Sequence, residues 1–401
     1  MIYLDNNATT APSAAVIEEM SRALGELWHN PSSIHRPGQA ARQAVDLARK
    51  SVAALIGARP REITFTGSGT ESIVAAIVGS LRQTSRRVVA TTAVEHNAVR
   101  ELMDDLVERD RAERVLLPLD SDGRVDLHAA ASLLNDQTAV VSVQWCNNET
   151  GVIQPVEELS RLARSVGAVF HCDATQWVGK MPTSVGTAPM QHGDVRPATA
   201  AWTDVDVLTF SPHKFHGPKG IGVIWTRPGT RLRPIIFGSQ ELGRRGGTEN
   251  VPGILGAGIA AKEALAFLAD PSTRAALAQL RDRFERMVLD RVHDAVLNKP
   301  KNPFHRMWNT ASIGFPALEA EALLLLLSER GVCASAGSAC SSGSLEASPV
   351  LLAMGVPPLV AHGTIRFSIC RETTERELAE AAAVVGESVA VLKRSMASVR
   401  A

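Results

Sequence analysis

VDVLTFSPHKFHGPKG, residues 205–220, carries an apolar strand-like run into a lysine flanked by two histidines, and leaves it through Gly217, Pro218 and Gly220. A lysine is ordinarily a solvated surface charge. Lys214 instead follows a strand and precedes a glycine- and proline-rich exit, so it reads as an amine fixed in place. A fixed amine can bond an aldehyde group. Such a site also needs an acidic partner, donors for an anion and an aromatic ceiling, and the rest of the chain offers candidates for each.

Working outward, four more apolar runs end in polar residues. Ile63–Phe65 runs into TGSGTES (66–72), which opens a helix through Ile73 to Leu81. Strand, glycine turn and helix start present free backbone amides to an anion. The motif matches neither GxxxxGK[ST] nor GxGxxG, so it does not announce a nucleotide. Arg87–Thr91 delivers AVEHNAV (93–99), with His96 at a strand end before a helix. Val140–Trp145 ends in CNNETG (146–151) and Ala168–Cys172 in DATQ (173–176). β-Branched runs interleaved with helices predict an α/β fold with a parallel sheet covered on both faces. Ligands bind at the carboxyl ends of such strands, so Thr70, His96, Asn148, Asp173, Gln176 and Lys214 are expected to converge.

The flanking regions read differently. Apolar spacing predicts helices over Ser13–Leu27 and Gln39–Ile56, the second ended by Gly57, with NPSSIHRPG (30–38) as a break between them. Residues 181–204 read as a surface excursion with His192 solvated, and Gly222–Trp225 as an antiparallel return strand. Residues 237–251, with Arg244, Arg245 and Thr248, form a long irregular segment of the kind that is more often functional than idle. Helical patterns cover Pro252–Leu268 and Ala275–Val292. The last third is a smaller α+β unit: strand Thr310–Phe315, helix Glu319–Glu329, strand Ile365–Ile369 and a helix from Glu375. Within it, ASAGSACSSGSLEAS (334–348) holds almost no large side chain and is expected to be mobile.

Composition limits the class of partner. The chain has 401 residues, with 42 basic and 42 acidic side chains, so no net field recruits nucleic acid or an anionic membrane surface. No uncharged apolar run approaches the roughly 18 residues of a membrane span, and the opening MIYLDNNATT lacks a signal-like pattern. Five cysteines form no CxxC pair, which argues against a disulfide framework and a zinc site. A soluble, cytoplasmic protein without a metal is expected.

Pyridoxal 5'-phosphate is a cofactor each of whose parts finds a candidate here. Lys214 would bond its aldehyde and Asp173 would pair with the pyridinium nitrogen. Gly69, Thr70, Ser211 and His213 would hold the phosphate. Gln176 and Asn148 would steady the ring oxygen and its surroundings, and His96 would stack on the ring face. Arg366, within IRFSI, has the planar fork that clamps an amino acid carboxylate. Cys146, Cys172, Cys333 and Cys370 lie in or beside apolar runs and read as small buried hydrophobes. Cys340, among small polar residues, reads instead as an accessible nucleophile.

These residues resemble the cysteine desulfurases, pyridoxal phosphate enzymes of the class V aminotransferase group. The likeness runs nearly end to end, through LDNNATT, NPSSIH, GTES, AVEHNAV, NNETG, DATQ, HKFHGPKG, GRRGGTENV and GSACSSGSLE. It implies the fold type I of pyridoxal phosphate enzymes: a large domain (15–255) with a mostly parallel, seven-stranded type of sheet, and a small α+β domain (1–14 and 256–401) carrying the 334–348 loop. It implies a homodimer in which Thr248 reaches the phosphate of the neighbouring subunit's cofactor. Lys214 would remove the α-proton of L-cysteine, His96 would serve as acid and base, and Cys340 would take the sulfur as a persulfide, releasing L-alanine. The loop would then pass the sulfur to an iron–sulfur scaffold or another acceptor protein. The long loop resembles the branch serving nitrogen fixation and housekeeping iron–sulfur assembly, and the tail SMASVRA, without the histidine-rich ending of the housekeeping enzymes, tilts the likeness toward nitrogen fixation. Ile73 and Val74 stand where relatives commonly have Asp-Asn, Pro349 where a histidine is common, and 181–204 is longer than expected. None removes a catalytic group. Selenocysteine lyase, an ordinary aminotransferase and a catalytically silent assembly scaffold are the competing expectations.

Overall fold

A computed structural model of the chain describes residues 1–186, 201–202, 204–337 and 347–400. Cys340 and His192 lie outside the described residues. Among those described, the chain forms a seven-stranded sheet, a four-stranded sheet and two short two-stranded pairs.

The large sheet takes its order from strands Ile63–Thr66, Gly222–Thr226, Val207–Phe210, Val169–Asp173, Thr138–Gln144, Val88–Thr91 and Glu113–Leu116. Every neighbouring pair is parallel except those made by Gly222–Thr226, which runs against both of its neighbours. The expected return strand is therefore present and the sheet is mostly parallel. Thr138–Gln144 is buried along its whole length, as are Ile63–Thr66 and Val207–Phe210. Burial on both faces is what removes the polar–apolar alternation from these sequences.

Helices Ala14–Glu26 and Arg36–Leu55 pack on Val251–Leu268. A Cβ on Gly258 would lie 2.8 Å from the Ala48 Cα, so the small residues of Val251–Leu268 let these axes approach closely. That helix is long and apolar enough to cross a membrane, but most of it is buried against the rest of the protein. The helix Arg36–Leu55 begins three residues before the expected Gln39, inside the segment read as a break. His35 caps it and Pro37 occupies its first turn, where a missing amide costs nothing. The same device, Asp270 followed by Pro271, starts Pro271–Leu289 four residues ahead of Ala275. Gly57 closes the second helix with φ +64°.

The four-stranded antiparallel sheet has the order Val296–Leu297, Thr310–Gly314, Thr364–Ser368, Ser335–Ala336. Pro271–Leu289 and Ala320–Glu329 pack on it, and Glu375–Arg400 packs on those two helices. The excursion after Lys180 is not wholly at the surface as expected: Thr183 and Ser184 pair with 201–202, and Thr183 to Val185 are buried. The Val185 amide donates to the Ile56 carbonyl, so the start of the excursion closes over the end of a core helix.

The irregular 237–251 segment is pinned by an ion pair. Arg49 donates to both oxygens of Glu241 at 2.7 Å, and Glu241 also accepts from the Phe65 amide at 2.8 Å. Glu241 and Leu242 adopt positive φ (48° and 59°), a conformation that such side chains rarely take unless it is held. Glu241→Ala leaves Arg49 without its carboxylate, and a urea titration is expected to show a loss of ~3 kcal/mol.

Candidate active site

The carboxyl ends of the parallel strands open on a cavity of about 400 Å³. Thr70, His96, Asn148, Asp173, Gln176 and Lys214 all line it, together with Gly69, Ser211 and His213. The expected convergence of strand ends is therefore met. Asp173 ends the strand at the centre of the sheet, and Lys214 ends a short 3₁₀ turn, Pro212–Lys214, just past the neighbouring strand.

On one side the cavity meets the first turn of helix Gly69–Leu81, whose N-cap Ser68 accepts from the Glu71 amide. Gly222 packs directly behind this turn: a Cβ there would lie 2.0 Å from the Ser68 oxygen, so only glycine fits. A Cβ added to Gly69 would come within 3.4 Å of Ser211 Cβ and 3.8 Å of Thr175 Oγ1. The Thr175 hydroxyl lines the cavity, is buried and has no hydrogen-bond partner among the described residues. An orphaned hydroxyl beside a helix N-terminus is a cradle built for an acceptor-rich anion.

Lys214 Nζ donates to the carbonyls of Asn7 and Ala8, both at 2.7 Å. His96 caps helix Asn97–Glu108, its Nδ1 accepting from the Ala98 amide at 3.1 Å. The neutral ring therefore carries its proton on Nε2. Burial pushes the His96 pKa below the usual imidazole value, Asp173 pulls it up, and Lys214 pushes it down again. His213, whose Nδ1 lies 3.1 Å from Thr9 Oγ1, is depressed to about 3 by burial and by Lys214, Lys219 and Lys180. Asp173 accepts from the Thr175 amide at 3.0 Å. Behind it, the buried His171 bridges Ser142 Oγ and Thr209 Oγ1, both at 2.9 Å, and burial lowers its pKa to about 4. Glu95, next to His96, is pushed up to about 8 by burial despite bonds from Thr92 Oγ1 and the Gln144 amide.

Two other expected site residues, Arg366 and Thr248, are not part of the cavity lining. Arg366 is 2 % exposed, so the ordinary edge-strand guanidinium does not apply. It donates to the Asn148 carbonyl at 3.2 Å and to Asp5 at 2.8 Å, while its Nε is buried without a partner among the described residues. Thr248 is exposed and does not line the cavity. Ser211 lines it, but its hydroxyl donates to the Ile221 carbonyl at 3.0 Å, leaving only its lone pairs toward a ligand. Cys146 and Cys172 are buried, as expected of small hydrophobes, whereas Cys333 and Cys370 are half-buried. Among the described residues, no group of three His, Cys, Asp or Glu stands together in a way that could hold a metal.

Sequence reading missed Thr175, Asn7 and Lys180. Thr175 lies inside DATQ and could have been taken with its neighbours. Asn7 Nδ2 donates to the Asn148 carbonyl and Thr310 Oγ1, and its Oδ1 accepts from Lys180 and Asn309.

The donor set fits pyridoxal phosphate. The orphaned Thr175 hydroxyl and the first turn at Gly69 and Thr70 would take the phosphate. Asp173 would face the ring nitrogen, and Lys214 would take the aldehyde.

Two histidines, His171 buried and His213 half-buried, tie stability to pH. His171 and His213 have folded pKa values below the ordinary 6.5, so below that pH the unfolded chain binds protons that the folded one refuses. Their contribution is fully present above pH 6.5 and is lost as the pH falls toward 4 and then 3. Urea midpoints should drop over that interval. His171→Ala should flatten the drop while costing about 2–3 kcal/mol at pH 7.5, because two buried hydroxyls lose their partner.

Comparison with known proteins accords with this geometry. Residues 2–380 match the family model described as aminotransferase class-V. The cysteine desulfurase NifS of Azotobacter vinelandii is 45% identical over 381 residues, 94% of this chain and 90% of that protein. A solved structure described as a NifS-like protein superimposes with a TM-score of 0.85 at 34% identity, covering 97% of this chain and 99% of that one. Another, SspA in complex with cysteine, gives 0.74 at 28% identity, over 92% and 99%. With the strand-end cavity, its lysine and its anion cradle in place, the chain belongs to the class-V aminotransferase family, among the NifS-like cysteine desulfurases.

Proposed function

We propose that this protein is a pyridoxal phosphate-dependent cysteine desulfurase that converts L-cysteine to L-alanine and carries the released sulfur as a persulfide on Cys340. The observation that carries the reading is the convergence of Lys214, Asp173 and His96 on one cavity beside the Gly69 turn. When bound, pyridoxal phosphate supplies an aldehyde for an amine and a ring that accepts the electron pair released at the substrate α-carbon. Gly69, Thr70, Thr175 and His213 would hold its phosphate, Asp173 its ring nitrogen, and Gln176 and Asn148 its ring oxygen and surroundings.

The chain's own groups do the rest. Lys214 Nζ, freed from its carbonyl partners, takes the α-proton. His96, held through Nδ1 by the Ala98 amide, presents Nε2 for proton transfer. Its depressed pKa keeps the ring neutral at physiological pH. Arg366 would hold the substrate carboxylate; its Nε, without a partner among the described residues, supports that role. The Cys340 thiolate attacks the substrate sulfur, forming a sulfur–sulfur bond as the carbon–sulfur bond breaks. The electron pair left on carbon takes a proton and leaves as L-alanine, so cysteine and thiol become alanine and persulfide with atoms balanced.

The same reading extends to assembly and location. Thr248, exposed on its own subunit, would complete the phosphate site of a second copy in a homodimer. An iron–sulfur scaffold of the nitrogen-fixation type, or another acceptor protein, would take the sulfur in the cytoplasm. The division into a large domain (15–255) and a small one (1–14 and 256–401) is supported by Ile2–Tyr3, which pairs with Val332–Cys333 beside the smaller sheet.

Purified protein supplied with pyridoxal phosphate should show a visible band that changes on adding L-cysteine, with alanine formed. Lys214→Ala should lose both band and turnover. Cys340→Ala should keep the band and its response to L-cysteine yet release no alanine with a thiol acceptor; full alanine release by that variant removes Cys340 from the mechanism. Selenium release from L-selenocysteine with negligible alanine from L-cysteine would favour the lyase instead.

A further inference from the structure

Lys180 lies four residues past Gln176, in the turns that follow the central strand. It is 5 % exposed, and among the described residues no salt bridge includes it. Burying an ammonium without a carboxylate is costly, and the cost is met only by good hydrogen bonds. Nζ donates to Gln176 Oε1 at 2.6 Å and to Asn7 Oδ1 at 3.1 Å. Burial lowers its pKa to about 7; Cys146 and Cys370 raise it, and Lys214 and Arg366 lower it.

An ammonium has three donors and no acceptor, so any carboxamide facing it must turn its oxygen inward. For Gln176 this directs Nε2 the other way. One of its N–H groups goes to the Asn7 carbonyl at 2.9 Å, and the second remains for the cavity that Gln176 lines. Asn7 would keep a donor without Lys180, because Asn309 Nδ2 also reaches Asn7 Oδ1 at 2.9 Å. Among the described contacts, Gln176 Oε1 has Lys180 alone. Gln176 is therefore the side chain that loses its one described contact at Oε1 when the ammonium is removed, and with it one of the two bonds that fix its carboxamide.

We propose that Lys180 is a positioning residue: its buried ammonium locks the Gln176 carboxamide so that Nε2–H faces an acceptor oxygen on the ring of the bound cofactor. This rests on the pyridoxal phosphate reading above and adds to it a group that does not touch the cofactor.

The test uses the full-length protein loaded with pyridoxal phosphate and follows its visible band against pH, its cofactor dissociation constant and its thermal midpoint. A donor held at an oxygen favours the anionic form of that oxygen. Lys180→Met should therefore move the pH midpoint of the band upward by about half a unit to one unit, and weaken cofactor binding about three- to tenfold, the worth of one hydrogen bond. In a Gln176→Ala background, the same substitution should produce no further shift. A shift of equal size in that background would mean that the charge acts directly on Lys214, and would overturn the positioning role. So would a fall in thermal midpoint with an unchanged band and dissociation constant. Should Lys180→Met not fold, Lys180→Gln, which can accept as well as donate and so no longer fixes the carboxamide, is read the same way: an upward shift supports the role and none refutes it. None of these readouts needs L-cysteine. A wild-type protein with a normal band but no alanine release fails the proposed function alone, and one with no band at all fails both.

Discussion

Leu4 to Thr10 runs as a strap between the two sheets, and almost every polar atom along it is committed. The Leu4 carbonyl accepts from the Ser368 amide, the Thr10 amide donates to His213, and the Asn7 carbonyl accepts from both Gln176 and Lys214. Asp5 holds Arg366. A segment this short has little apolar area to bury, so hydrogen bonds keep it in place, and those bonds come from residues far apart in the chain. Lysine, glutamine and arginine of the site are therefore positioned by one stretch of backbone, and a displacement of that strap would move all three.

The cavity's charge balance follows from the same burial. Near Lys214 burial works against further positive charge: His96 and His213 are depressed by desolvation and by the lysine itself, and the Lys180 ammonium, drawn down to about 7, is held by the carboxamide oxygens of Gln176 and Asn7. Glu95 is pushed the other way, to about 8. The cavity wall thus sets the carboxylate of Asp173 and the amines of Lys214 and Lys219 beside histidines that favour their neutral form. In a water-poor cavity charges act over longer distances than at the surface, and a small set of them can dominate a ligand's electronics.

The mainly parallel sheet and the meeting of strand ends were legible because buried strands announce themselves: Val140–Trp145 and Ala168–Cys172 lie within two residues of the observed Thr138–Gln144 and Val169–Asp173. Helix starts at Arg36 and Pro271 were placed late because proline in the first turn looks like a break. Two-residue strands such as Ile2–Tyr3, Val296–Leu297 and Ser335–Ala336 are too short to carry a period.

Residues whose chemistry is carried by their own side chain, Lys214, Asp173 and His96, were identifiable in the sequence, because strand-end position and side-chain type together imply the role. Asn7 and Lys180 were not. Asn7 meets Lys214 across 207 positions of chain and Lys180 across 173. Nothing local marks an asparagine near the terminus or a lysine after a turn, since each gets its function from the partners that folding brings to it. The sequence by itself determined which groups could do chemistry and on which edge of the sheet they would meet. Tertiary structure decided how those groups are oriented, because orientation is set by hydrogen bonds between segments whose separation in sequence leaves no local pattern to read.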